Sequence, residues 1–195
     1  MKFKKIILGA IIFVWAITVG LGIFEMSDYT WRAGRSAIPP PKLISEFQVT
    51  TNKDLPLLLI FFHPQCPCSR ATLAELVRLL NSHENSIEIH IIFYKPASEP
   101  DEWVKTNIWR QASTIPGVTI SVADENEIKR FGAITSGQTL LYDKEGNLIF
   151  SGGITNGRGH EGNNPGEKSI ETFLQTNQIT VSENPVFGCA ITDSE

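Results

Sequence analysis

Charge is absent from one long stretch of this chain: Ile6 to Phe24 contains no Lys, Arg, Asp or Glu. That absence excludes a solvated segment there and fits a membrane-spanning helix. No small-x-small cleavage site follows the stretch, which argues against a removed signal peptide. No cysteine closes it, which excludes lipid attachment at that point. Basic residues are not in surplus either: 17 Lys and Arg stand against 21 Asp and Glu, a net charge of −4. Without residues 1–28, 14 basic and 19 acidic residues remain, a net −5 that argues against a nucleic-acid partner. There is no internal repeat. The glycine-rich run 151–168 lacks the Gly-Lys-Ser/Thr ending of a phosphate loop. Cysteine is scarce, with three in the chain, so each of the three carries weight.

What is present begins with Lys2, Lys4 and Lys5 ahead of the uncharged run, and Glu25 and Asp28 behind it. This bias orients the amino terminus to the cytoplasm. The sequence divides into a cytoplasmic start (1–5), a transmembrane anchor (6–24), an extracytoplasmic tether (25–50), a folded domain (51–180) and a tail with Cys189 (181–195). The expected location is the bacterial inner membrane, single-pass, with the domain facing the periplasm. A cleaved signal peptide is the competing reading, and it places the domain in the same compartment. Tyr29 and Trp31 suit an aromatic belt, or equally packing on the domain. Arg35 to Pro41 favours an extended polyproline conformation and lacks a core-forming pattern. Three cysteines in an oxidising compartment invite a disulfide, with one thiol over.

Within the domain, the apolar run Leu57–Phe62 reads as a strand, and Leu73, Leu76, Val77 and Leu80 mark one face of a following helix. Between them lies His63-Pro64-Gln65-Cys66-Pro67-Cys68-Ser69-Arg70. Pro67 suits a first helical position, so Cys66 is the expected N-cap, its thiolate stabilised by the free N–H groups and the helix dipole. Ile87–Tyr94 reads as a second, parallel strand, with His90 a half-buried surface residue. Asp101–Ala112 reads as a helix anchored by Trp103 and Trp109. Gly117–Val122 is a strand, and Asp124 caps a short helix. Thr139–Tyr142 and Leu148–Phe150 form an antiparallel hairpin, and a last helix runs from Glu167 to Gln175. The expected class is α/β: a thioredoxin-like three-layer fold with a mixed central sheet, preceded by the transmembrane helix.

The Cys-Pro-Cys turn, together with Phe131–Gly137, Thr139–Asp143, Phe150–Thr155, Arg158–Gly162 and Val186–Cys189, resembles the thioredoxin-like superfamily. Within it, the resemblance is to membrane-anchored RedB-like proteins, over roughly residues 55 to 190. It implies thiol redox chemistry with protein thiols or disulfides as partners, and no cofactor. Two departures matter. The cysteines have one residue between them rather than two, which predicts a small, strained and easily reduced ring. Gln138 stands where thioredoxins carry a cis-proline before the threonine, and a cis bond is not expected without proline.

Cys66 is the expected nucleophile and Cys68 the expected resolving thiol. Closing so short a loop gains little entropy, so a structural staple is disfavoured. His63 would lower the Cys66 pKa or shuttle its proton. A peroxidase would need threonine or serine at that place, and histidine stands there. The alternative is a copper(I) module holding its ion with Cys66, Cys68 and His63, with His160 or Cys189 as further ligands. A third reading is an idle interaction domain. The glycine-rich loop would bring Arg158 and His160 to the border of the cysteines, or serve as a plain connection. Cys189, after a glycine that permits close backbone approach, is expected beside the Cys-Pro-Cys turn as a third thiol; a free surface thiol is the simpler alternative.

Overall fold

A computed structural model describes residues 2–43, 54–83 and 85–192, which fall into two units, residues 1–32 and 33–195. The expected boundary between tether and domain at residue 50 and the extreme tail at 193–195 lie outside the described residues.

The first unit is one helix, α1 (Lys2–Trp31). Its apolar side chains are exposed all round, from Phe3 to Trp31. A helix apolar on every side has no reason to stay in water. It is long and apolar enough to cross a membrane.

The second unit is built on β1 (Leu57–Phe62), whose six residues are all buried. Successive side chains of a strand point to opposite faces. Leu58, Ile60 and Phe62 therefore enter one core and Leu57, Leu59 and Phe61 the other. A strand buried on both faces must be central. It lies parallel to β2 (Glu88–Tyr94), which in turn pairs parallel with β3 (Val118–Ala123). On its other side it meets β4 (Gln138–Tyr142) antiparallel, and β4 makes the hairpin with β5 (Leu148–Gly152). A two-residue strand, β6 (Glu183–Asn184), pairs parallel with β5, giving the order β3-β2-β1-β4-β5-β6.

Helices cover both faces. α2 (Ser69–Ser82), α3 (Asn107–Ala112) and α5 (Pro165–Thr176) supply Leu73, Leu76, Leu79, Ile108 and Ile170 to one core. α4 (Glu125–Arg130) supplies Ile128 to the other, where Ile191 of the tail also packs. This is the three-layer thioredoxin-like fold with a mixed sheet that the sequence predicts.

Several details differ from expectation. The helix over 101–112 is broken: a 3-10 turn (Asp101–Trp103) precedes α3, because Thr106 is extended and its hydroxyl donates to the Pro64 carbonyl at 2.7 Å. His90 is buried rather than half-buried, its Nε2 lying 3.0 Å from the Glu88 carboxyl. α5 starts two residues early, since Asn164 caps it and Pro165 takes the first turn. Residues 33–43 lie along the domain as a strap. Polyproline-like chain makes no internal hydrogen bonds, so its carbonyls are free for others. The Arg35 carbonyl accepts from the Thr135 hydroxyl, that of Pro40 from the Tyr142 hydroxyl and that of Pro41 from the Leu148 N–H.

Candidate functional site: a cluster of three thiols

β1 ends at Phe62 and α2 begins at Ser69, so the cysteines occupy the turn between the central strand and its crossover helix. The turn is tight. The Cys66 N–H donates to the His63 carbonyl at 3.0 Å, and the Ser69 N–H donates back to the Cys66 carbonyl at 3.2 Å. Pro67 and Cys68 are its central residues, and Cys68, not Cys66, is the N-cap of α2. The reason is the i→i+3 bonding, which winds the chain up before the first α-helical residue. Thr106 and Ser136 brace the turn from outside. The Thr106 hydroxyl holds the Pro64 carbonyl, and the His63 N–H donates to Ser136 Oγ at 2.8 Å, itself 2.8 Å from Ser69 Oγ.

The tail completes the site. After β6, residues 186–191 run beside residues 134–136, with an antiparallel bridge between Thr135 and Ala190. The Ser136 N–H donates to the Cys189 carbonyl at 2.8 Å, and the Ile191 N–H donates to the Ile134 carbonyl at 2.9 Å. Gly188 is required by close approach: a Cβ there would collide with the Ser136 carbonyl oxygen. Val186 and Ile191, both buried, fix the tail on either side of Cys189. The outcome is a group of three sulfurs, Cys66, Cys68 and Cys189, all within 4.8 Å of one another.

The three thiols are not equivalent. Cys66 is 3 % exposed, while Cys68 and Cys189 are half-buried. The Cys189 and Cys68 thiols, the Cys189 backbone N–H at 3.4 Å and the Ser69 side chain all donate towards Cys66 sulfur. These bonds outweigh its burial and hold Cys66 far below the ordinary thiol pKa. Cys189 is pushed far above that value by its bonds to Cys66 and Cys68 and by burial. For Cys68 the bond to Cys189 pulls downwards. It is overcome by the bond to Cys66, burial and the Cys66 charge, so Cys68 is raised, although Arg158 opposes this. The arrangement favours the thiolate on Cys66 and the thiol form on Cys68 and Cys189.

The histidines stand apart from this group. The His63 ring packs against Trp103 and Tyr94, with centroids 5.6 and 6.0 Å away, and its Nδ1 accepts the Gln65 N–H at 3.2 Å. His160 is exposed, in a turn where its N–H donates to the Gly157 carbonyl. Neither joins the sulfurs, so the ligand set of the copper alternative shrinks to three cysteines. Arg158 does reach the site: its Nη1 donates to the Gly188 carbonyl, next to Cys189. Gln138 is a buried strand residue bonded to Ser151 Oγ at 3.0 Å, and the described residues contain no cis peptide bond.

Sequence reasoning missed Ser136 and Glu75. Ser136 binds His63, Ser69 and Cys189 together, and its only signal was its place in a shared motif. Glu75 is fully buried on α2, where it pairs with Arg78 and accepts the Gly162 N–H at 2.6 Å. It thereby pins the glycine-rich loop that carries Arg158.

No protein-family model and no curated protein matches the chain. Solved structures match it. A hypothetical protein from Sinorhizobium meliloti 1021 superimposes with a TM-score of 0.59 at 19 % identity, over 84 % of this chain and 96 % of its own. A conserved protein from Geobacillus kaustophilus gives 0.56 at 17 % identity, over 85 % of this chain and 95 % of its own. StoA from Bacillus subtilis gives 0.46 at 15 % identity, over 73 % of this chain and 98 % of its own. At such identities a likeness speaks for the fold. The first two matches share this chain's fold, and the strand order, with β1 between parallel β2 and antiparallel β4 and helices on both faces, is that of a thioredoxin-like fold.

Proposed function

We infer that the chain is a membrane-anchored, extracytoplasmic thiol–disulfide oxidoreductase of RedB-like kind, held in the bacterial inner membrane by α1 with its domain in the periplasm. One observation carries the reading: Cys66, at the mouth of a helix, has its sulfur surrounded by donors that stabilise the thiolate. The thiolate is the form that attacks disulfides. In the first step a bond forms between Cys66 Sγ and one sulfur of a protein disulfide. The disulfide bond breaks, and the other substrate sulfur leaves as a thiolate. A second thiol of the cluster then attacks Cys66 Sγ, releases the remaining substrate thiolate and leaves an internal disulfide. The substrate gains two electrons and the cluster loses two; the reverse sequence oxidises a substrate dithiol. No cofactor is needed. Three thiolates at this spacing would also hold a soft ion such as copper(I), so the test carries a metal arm.

The test uses the full chain in detergent, purified reduced and free of chelator. Cys66→Ser abolishes exchange with a protein disulfide, and replacing the resolving thiol accumulates mixed disulfides through Cys66. Full activity in Cys66→Ser, or stoichiometric copper with no exchange, overturns the reading. Protease added to spheroplasts degrades the domain and leaves the anchor in the membrane; protection of the domain contradicts the stated topology.

A further inference from the structure

Cys66, whose thiolate the cluster favours, is also its least accessible sulfur, 3 % exposed. What covers it is the chain's own tail. The Cys189 N–H donates to Cys66 sulfur, its carbonyl is taken by the Ser136 N–H, and Ala190 bridges Thr135. An extended segment is thus zipped along residues 134–136 with its cysteine on the attacking sulfur. An incoming disulfide needs that same place, since exchange requires sulfur to meet sulfur in line. The small residue ahead of the cysteine is also dictated, because anything larger than glycine at 188 meets the Ser136 carbonyl.

We propose that residues 188–191 act as an internal substrate, and that Cys189 rather than Cys68 closes the disulfide with Cys66. The exchange partner is then an extended protein segment with glycine before its cysteine, which displaces the tail. This rests on the oxidoreductase reading above. The Cys68 thiol also reaches Cys66 sulfur, but a bond between them closes a small, strained ring over one residue, inside the turn that the Ser69 N–H closes on the Cys66 carbonyl. Cys189 approaches from the tail, a separate segment, and leaves that turn intact. In the resolving step the Cys189–Cys66 bond forms as the Cys66–partner bond breaks. The Cys189 proton passes to the departing partner thiolate. Arg158, donating to the Gly188 carbonyl, holds the tail for this step as a positioning residue.

The test again uses the full chain in detergent. Reduced Cys68→Ser and Cys189→Ser variants are oxidised with glutathione disulfide, alkylated and digested with trypsin. The probe is a synthetic peptide copying residues 185–192. Cys68→Ser is expected to join peptide 54–70 to peptide 169–195 through a disulfide. A tethered thiol has an effective concentration of about a millimolar or more, so probe capture at about 10 µM should rise roughly tenfold or more in Cys189→Ser over wild type. A probe with valine in place of its glycine should be captured less. If Cys189→Ser closes the internal bond, Cys68→Ser does not, and capture equals wild type, the inference is overturned and the oxidoreductase reading stands. If no variant forms an internal or mixed disulfide, both are overturned.

Discussion

Oxidising the reduced protein with one equivalent of a small disulfide should raise its thermal stability by an amount that reports which bond forms. Cys66 and Cys189 are 123 positions apart. Cross-linking them restricts the unfolded chain by about 4–5 kcal/mol, whereas a Cys66–Cys68 bond closes a loop too short to give more than about 2 kcal/mol. For a domain of this size each kcal/mol moves Tm by about 2–4 °C, so the long bond predicts a rise of about 10–20 °C. The reduced state has one opposing contribution. The Cys66 pKa is depressed by folding, mainly through its bond from the Cys189 thiol. That contribution is complete above the ordinary thiol pKa of about 8.5 and is lost as pH falls. The gap between oxidised and reduced Tm should therefore widen steadily as pH falls from 8.5 to 6. Circular dichroism melts of the full chain in detergent, with and without reductant, read both trends. A gap of a few degrees that persists in Cys189→Ser would refute the long cross-link.

Further outcomes follow from single contacts. Between pH 8 and pH 5 the reduced protein should retain one thiolate by absorbance at 240 nm, although an ordinary thiol is under about 1 % ionised at pH 6; Cys189→Ser should restore titration towards the ordinary range. Gly188→Ala should cost about 1–3 kcal/mol in denaturant unfolding and lift the tail, because the added methyl meets the Ser136 carbonyl. Unchanged stability would mean that the tail is not packed as described. Glu75→Ala should cost about 1–3 kcal/mol by leaving the Gly162 N–H without its buried acceptor, and should loosen the Arg158 loop to proteolysis.

The local patterns were legible in the sequence. An apolar six-residue run, then a cysteine pair on either side of Pro67, then helical periodicity, is enough to place β1, the turn and α2. Asp124 and Glu127 form the capping box of α4 that their spacing predicts. What was not legible depends on partners far away in the chain. Thr106 breaks the helix before α3 because it is drawn to Pro64, 42 positions earlier, and the strap 33–43, whose extended form its prolines predict, docks on the domain because Thr135, Tyr142 and Leu148 donate to its carbonyls. His63 sits three residues before Cys66 yet turns its ring to Trp103 and Tyr94. Sequence adjacency assigned it a role in the thiol chemistry that spatial neighbours give to Cys189, Cys68 and Ser69.

The central claim is that the three sulfurs form a redox site, and thiol counting with metal analysis tests it most directly. The full chain, purified reduced in chelator-free detergent, should show three titratable thiols and no bound metal. After one cycle with glutathione disulfide it should show one thiol, and after reduction three again. Three thiols that persist through oxidation, or one equivalent of copper that blocks their titration, would contradict the account.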